Sequence, residues 1–464
     1  MPRISIVIPS YNHDRFIDRA IQSALNQTYQ DMEILITDDG SNDRSISIIK
    51  EFSDPRIQLT CFHTNRGAST AMNHCIKHAS GEFIAVLNSD DEFLPDKLAQ
   101  QVSFLDEHPD IGAVFSYATI IDENNHEVED EGHFYKRVFV QENRTRFAWL
   151  KRFFFQGNCL CHPSVLIRKE CYDNVGLYDE RLAHVPDLDF WIRLCAMYDI
   201  HIIPENLVRF RIHRDETNAS GYRPEVIKRS GVEIAQILKN YLSSQITNHF
   251  REIFLTSDEN DIFDTELVPY YIARLALQQD HVAYQYFGID TLYRVFSLPE
   301  IVQKIAEKHQ MHFADLLQIT GQHDVLSTYK IEQLRHQFHD TQNRLEHKAA
   351  HLNNIVSERD QTISHLTTRL AERDQVVVST TASVTERDQT ISHLTTRLAE
   401  RDHTVDDMIV HLNRQDQIIA ELQTKAAEQH NTIENLRNSR SARFARKVRF
   451  YLNRVKALIP LRRP

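Results

Sequence analysis

The stretch "EFIAVLNSDDEF" ends an apolar run on Asn88, Ser89, Asp90 and Asp91. Adjacent carboxylates repel, so the pair is favourable only beside a cation, a hydroxyl-rich ligand or water. Asp38 and Asp39 end a second apolar run, "EILIT", and Asp187 opens the amphipathic stretch "DLDFWIRLC". Such carboxylates can hold a divalent cation, accept a hydrogen bond from a ligand, or take a proton from an attacking hydroxyl. Each also has a plain structural reading. Asp38, Asp39 and Asp43 suit turns and helix N-caps, Asp90 and Asp91 suit the approach to a helix near Pro95, and Asp187 suits the cap of its own helix. Cys159-x-Cys161 followed by His162 lacks a second ligand pair at zinc spacing, so buried strand cysteines are expected there.

Something must bring these groups together. Strand-length apolar runs occur at Ile4–Ile8, Ile34–Thr37, Ile57–Phe62, Phe83–Leu87 and Ala113–Tyr117. Between them lie helical patterns such as Phe16-Ile17-Ala20-Ile21-Ala24-Leu25 and Ala71-Met72-Cys75-Ile76. Alternation of this kind predicts a mainly parallel sheet covered on both faces, with ligands beyond the carboxyl ends of the strands. The polar clusters "PSYN", "DDGSND" and "NSDD" fall at those ends. Further strands are expected at Ser164–Ile167 and His201–Ile203, with Trp191 of the helix between them in the core rather than on a ligand.

The chain has 464 residues, 41% hydrophobic and 25% charged, which suits two or three globular units. Six scattered cysteines give no disulfide framework and point to reduced thiols in a cytoplasm. No stretch resembles a signal peptide, and no apolar run reaches the roughly 18 residues of a membrane span. The net charge of −12 is uneven, because Arg437–Pro464 holds ten Lys or Arg and no Asp or Glu.

"ISIVIPSYNHDRFIDRAIQSALNQTYQDMEILITDDGSND" and "NRGASTAMNHCIKHASGEFIAVLNSDDEFLPDKL" resemble the nucleotide-sugar half of family 2 glycosyltransferases with the GT-A fold. "CHPSVLIRKECYDNVGLYDERLAHVPDLDFWIRLC" resembles the acceptor half. The resemblance covers roughly residues 1–220. It implies a Rossmann-like, mainly parallel α/β domain that transfers a sugar from a UDP- or dTDP-sugar, with Mg²⁺ or Mn²⁺, inverting the anomeric centre. It assigns Asp39 to the uracil or thymine N–H and Pro9 and Tyr11 to the base and ribose. Arg66 becomes a base or phosphate contact, Asp90 faces the ribose, Asp91 binds the metal ion, and Asp187 is the catalytic base. His213 falls where relatives carry an Arg-x-His near the diphosphate. Asn88 and Pro186 depart from the Asp and Glu that many relatives have there. The implied acceptor is a glycan or a lipid-linked hydroxyl in surface polysaccharide assembly. The lack of membrane spans and of a Gln-x-x-Arg-Trp element favours a non-processive enzyme. The competing readings are a nucleotidyltransferase, for which a Gly-rich phosphate loop is missing, and a coiled-coil scaffold carrying a degenerate transferase domain.

The domain boundaries expected are 1–225 for the transferase, 226–330 for a helical region without a readable motif, 331–436 for a coiled coil and 437–464 for a basic tail. In the coiled-coil segment apolar residues recur every seven positions through twelve heptads, from Val356 to Ile433, and "ERDQTISHLTTRLAERD" occurs twice, 28 residues apart. A strict seven-residue period predicts a left-handed coiled coil, a homo-oligomer and a rod of roughly 120 Å. In the tail Phe444, Val448, Leu452, Val455 and Ile459 share one helical face among cations. That pattern suits the anionic inner surface of a membrane, with docking on the protein's acidic body as the alternative and nucleic acid not expected.

Overall fold

The computed structural model describes residues 1–213, 224–255, 263–377 and 384–438. The chain divides into two units, Met1–Val325 and Leu326–Pro464. Among the described residues the first unit holds a sheet of eight strands: β1 (Ile4–Ser10), β2 (Met32–Asp38), β3 (Ile57–Cys61), β4 (Phe83–Val86), β5 (Glu92–Phe93), β6 (Ile111–Ile121), β7 (Leu166–Arg168) and β8 (Asp199–Arg211). Their order is β3-β2-β1-β4-β7-β6-β8-β5. The first four run parallel and β8 is parallel to β6, whereas β7 and the short β5 are antiparallel to their neighbours. The helices that matter for the site are α1 (Ile17–Leu25), α2 (Ser45–Glu51), α3 (Ala68–His78), α4 (Lys97–Glu107), α5 (Phe134–Val138), α6 (Arg146–Gln156), α7 (Lys169–Val175), α8 (Pro186–Cys195) and α9 (Pro224–Ile237).

The continuous apolar runs of β1, β2 and β4 follow from burial on both faces. Alternate side chains point to opposite sides of a strand. Ile4, Ile6, Ile8, Ile34, Ile36, Phe83 and Ala85 pack on one side against α1, α2 and α4. Val7, Leu35, Ile84 and Val86 pack on the other against α3, α6, α7 and α8. Each fully buried aliphatic side chain contributes about 1.5–3 kcal/mol, so the central strands are the most strongly held part of the unit.

That second core also contains Ile237, Leu238, Tyr241, Phe250, Phe254, Ile272 and Phe287, from the helical region without a sequence motif. Tyr241 is fully buried, and its hydroxyl donates to the Leu150 carbonyl at 2.8 Å. The helical region therefore shares the transferase core instead of standing apart at residue 225. A smaller third core gathers Leu267, Tyr270, Leu292, Phe296, Ile305 and Leu316.

The second unit contains two long helices, Thr328–Val377 and Val384–Asn438. The Arg359 guanidinium donates to the Arg401 carbonyl, 42 residues along the chain. In one straight helix those residues would lie about 63 Å apart, so the two helices lie side by side and the single rod expected from the heptads is not what is observed. The heptad residues within 378–383 and nearly all of the basic tail fall outside the described residues. Among the described residues no helix is long and apolar enough to cross a membrane.

Candidate active site

The first wall of the site forms where β1 and β2 end. Gly40 takes a φ of 76°, and a Cβ there would come within 2.7 Å of the Thr64 carbonyl carbon, so the turn after Asp39 requires glycine. Asp39 is buried, and its carboxylate accepts the backbone N–H groups of Arg66 and Gly67 at 2.6 and 2.8 Å. It thus sits at the positive end of α3, where a carboxylate is favourable. Pro9, Ser10, Tyr11, Asp39 and Gly67 line one side of a cavity. Arg66 contributes its backbone here, while its exposed side chain packs over the Phe62 ring at 4.7 Å and does not line that cavity. Asp38 and Asp43 do turn and cap work: Asp38 accepts from the Ser41 N–H and hydroxyl, and Asp43 accepts from the Asp14 and Ser45 N–H groups.

The second wall is the "NSDD" loop between β4 and β5. It does not cap α4, whose N-cap residue is Asp96. Arg211, the last residue of β8, is fully buried and ties the loop down. Its backbone N–H donates to Asp91 Oδ1 at 2.7 Å, its Nε to the Asp90 carbonyl at 2.7 Å, and its Nη2 to Glu92 Oε1 at 2.9 Å. Asp91 Oδ2 accepts from the Asn88 amide at 2.8 Å. Burial, reinforced by the Asp90 charge, pushes the Asp91 carboxyl well above the usual carboxylate range.

Asp90 faces the other way. Its Oδ2 lies 3.0 Å from His213 Nε2, and His13 Nδ1 lies 2.7 Å from the Ser89 hydroxyl. Burial works against the charged form of Asp90, but the His213 hydrogen bond and the two nearby imidazoles hold its carboxyl below the usual range. His13, Asp90 and His213 each present a ligand atom within 4.8 Å of the others, the geometry of a cation site. Asp91, expected to hold the ion, is not in that group, and Asp90, expected to face the ribose, is.

The third wall is the N-terminus of α8. Pro186 occupies its first turn, where a missing N–H is harmless. Asp187 follows; Oδ1 accepts from the Leu188 N–H at 2.8 Å and Oδ2 from the Asn158 amide at 2.6 Å. Burial pushes its carboxyl up to about 6, against the opposing pull of those N–H groups and of His184. Nearby, His162 Nε2 lies 2.9 Å from the Tyr178 hydroxyl, and burial drives its pKa down to about 4, so the ring is neutral. Cys159 and Cys161 are buried thiols whose pKa values burial raises, and Trp191 is a fully buried core residue, edge-on to Phe115.

The three walls border a cavity of about 650 Å³, which Phe134, Tyr135, Phe139 and Phe210 also line. Residues 5–173 match the model of the family described as glycosyl transferase family 2. An uncharacterized glycosyltransferase of Methanocaldococcus jannaschii is 32% identical over 216 residues, covering 46% of this chain and 71% of the relative. The chain belongs to glycosyl transferase family 2. Its first unit carries the mixed, mostly parallel GT-A sheet that the resemblance implies, followed by helices. A second relative is the Escherichia coli UDP-Glc:alpha-D-GlcNAc-diphosphoundecaprenol beta-1,3-glucosyltransferase WfgD. It is 44% identical over 102 residues, 22% of this chain and 40% of that one. The structure of S. aureus TarS 1-349 in complex with UDP-GlcNAc aligns with a TM-score of 0.42 at 20% identity, covering 62% of this chain and 83% of that one.

In this family 2 transferase the cavity brings together Pro9, Tyr11, Asp39, Asp90, Asp91 and Asp187. His213 joins through its contact with Asp90. His13, Asn158 and Arg211 also line the cavity and were given no role by sequence reasoning, and His162, weighed there only as a metal ligand, lines it as well. His13 stands two residues after Tyr11 in "PSYNHD", a signal that was available. Arg211 is the arginine of the Arg-x-His that drew attention to His213, but its own role under the loop is legible only once its burial is known.

Proposed function

We propose that this transferase moves one sugar from a UDP- or dTDP-sugar to a hydroxyl of a glycan or lipid-linked acceptor, with inversion, in surface polysaccharide assembly. The observation that carries the reading is the meeting of Asp39, Asp90 and Asp187 in one cavity. Asp39, with Pro9 and Tyr11, receives the base and ribose. The acceptor hydroxyl approaches the anomeric carbon from the α8 side. As its oxygen bonds to that carbon and the bond to the diphosphate breaks, the proton passes to Asp187. A carboxyl that titrates near 6 is ionised at neutral pH yet still basic enough for that transfer.

The residues present fit a divalent ion: His13, Asp90 and His213 would hold it, and two imidazoles beside a carboxylate favour Mn²⁺ over Mg²⁺. When bound, such an ion offsets charge building on the departing diphosphate. UDP-glucose is the first donor to test, because the Escherichia coli relative is named for it. Mn²⁺-stimulated release of UDP from UDP-glucose, abolished by Asp90→Asn or His213→Ala, is the expected result. Asp91→Asn should keep the Mn²⁺ half-saturation concentration and lose thermal stability instead. Release that ignores EDTA, or an Asp91 variant that alone loses the Mn²⁺ response, would return the ion to Asp91 or remove it.

A further inference from the structure

The loop that delivers Asp187 is held from outside the segment matched to the family. Glu233 lies on α9, is 4% exposed, and belongs to the helical region that shares the transferase core. Its Oε1 accepts the Ala183 N–H at 2.9 Å, and its Oε2 accepts the His184 and Val185 N–H groups at 2.7 and 3.1 Å. Three consecutive amides converging on one carboxylate fix the backbone that leads directly into Pro186 and Asp187. The stretch just before it is pinned from the nucleotide side. Asn73 of α3 pairs with the Tyr178 backbone in both directions, and Ser69 donates to the Leu182 carbonyl at 3.1 Å. Three residues beyond α9, Asn240 donates to Asp189 Oδ1 at 2.7 Å, two residues after Asp187 on α8.

We propose that Glu233 is a positioning residue for the transfer reaction: by clasping the amides of residues 183–185 it sets the place and orientation of Asp187, making the helical region part of the active site. This rests on Asp187 being the proton acceptor. An amide at position 233 keeps the length but turns an NH₂ group toward backbone donors, so the clasp opens on at least one side. Misplacement of a reacting group by a fraction of a bond length is enough to slow turnover substantially. The charged or titratable groups around Asp187 are His184 on its own loop, Tyr178 in the cavity lining and the buried Cys161 thiol. None is replaced in the test.

The test compares Glu233→Gln, Glu233→Asp and Asp187→Asn in the full chain, using UDP-glucose with Mn²⁺ and amide hydrogen exchange. Glu233→Gln should accelerate exchange in residues 183–185, leaving β1, β2 and α1 protected. It should lower kcat about tenfold or more with KM for UDP-glucose unchanged, and displace the acid limb of the kcat profile. Glu233→Asp, which restores the carboxylate, should recover part of the rate. Unchanged exchange at 183–185 would overturn the clasp, and faster exchange with unaltered kcat and pH profile would overturn its role in turnover. General loss of protection with loss of UDP affinity would reduce Glu233 to a structural residue. Full turnover in Asp187→Asn would refute the base assignment, and with it any catalytic consequence of the clasp, whereas the exchange result judges the clasp independently.

Discussion

Asp187 does its proposed work because its surroundings are dry on one side and polar on the other. Burial raises its carboxyl, while the Leu188 N–H and the Asn158 amide still favour the charged form. Activity should therefore rise with pH as the carboxyl loses its proton, with an acid limb near pH 6 in kcat, and fall away below it. Asp187→Asn keeps the size and the contact with the Leu188 N–H but cannot take a proton. Turnover should drop by about 10²–10⁴-fold while UDP affinity, read by calorimetry, stays put. Joint loss of affinity and turnover would instead identify Asp187 as a helix cap. At this scale Asp39 and Asp90 also divide their labour through their partners: backbone amides for the first, imidazoles for the second.

Among the elements, β8 couples the two halves of the site. Its pairing with β6 shifts register between Ser116 and Ala118, which pair with Ile203 and Val208, so β8 carries extra residues there and bends. The strand end then places Arg211 beneath the "NSDD" loop and His213 against Asp90. Arg211 is wholly buried, and its salt-bridge partner Glu92 is nearly so. Removing the guanidinium takes the side-chain donor from the Asp90 carbonyl and one donor each from Glu92, which keeps Asn125 and Arg209, and from the Asp122 carbonyl, which keeps the Asn125 N–H. Arg211→Met should accordingly cost about 3–5 kcal/mol in urea unfolding and weaken Mn²⁺ stimulation in the surviving folded protein. A variant of unchanged stability that responds normally to Mn²⁺ would show that the loop is held by other means.

At the scale of the whole molecule, we expect the long helices to take a partner. On the seven-residue stripe Leu398 remains exposed and Ile391, Val405, Leu412 and Ile419 are only half-buried although the two helices lie side by side, and a repeated apolar stripe in water favours association. We expect the full chain to sediment as a dimer or higher oligomer at micromolar concentration and a chain ending at Val325 to sediment as a monomer. A monomeric full chain would confine the heptads to an intramolecular pairing. The basic tail after Asn435 is proposed to hold the assembly on anionic lipid, each cation near the headgroups contributing about 1 kcal/mol. Salt-sensitive pelleting with phosphatidylserine vesicles should vanish when the tail is removed; equal pelleting of the truncated chain would rule the tail out.

The order of apolar runs and polar clusters was enough to read the parallel half of the sheet, the three carboxylate clusters and the family, because strand periodicity and short motifs are local properties. The long helices were equally legible from their seven-residue repeat. Which carboxylate of the Asp90–Asp91 pair faces the imidazoles was not, since adjacent residues differ only in where β8, 120 residues away, points its backbone and its arginine. Nor could the sequence link Glu233 to Asp187, because a glutamate on an amphipathic helix reads as solvated until packing buries it. The single rod failed for a related reason: a heptad repeat specifies that an apolar stripe must be covered, and only tertiary structure decides whether another chain or the same chain covers it.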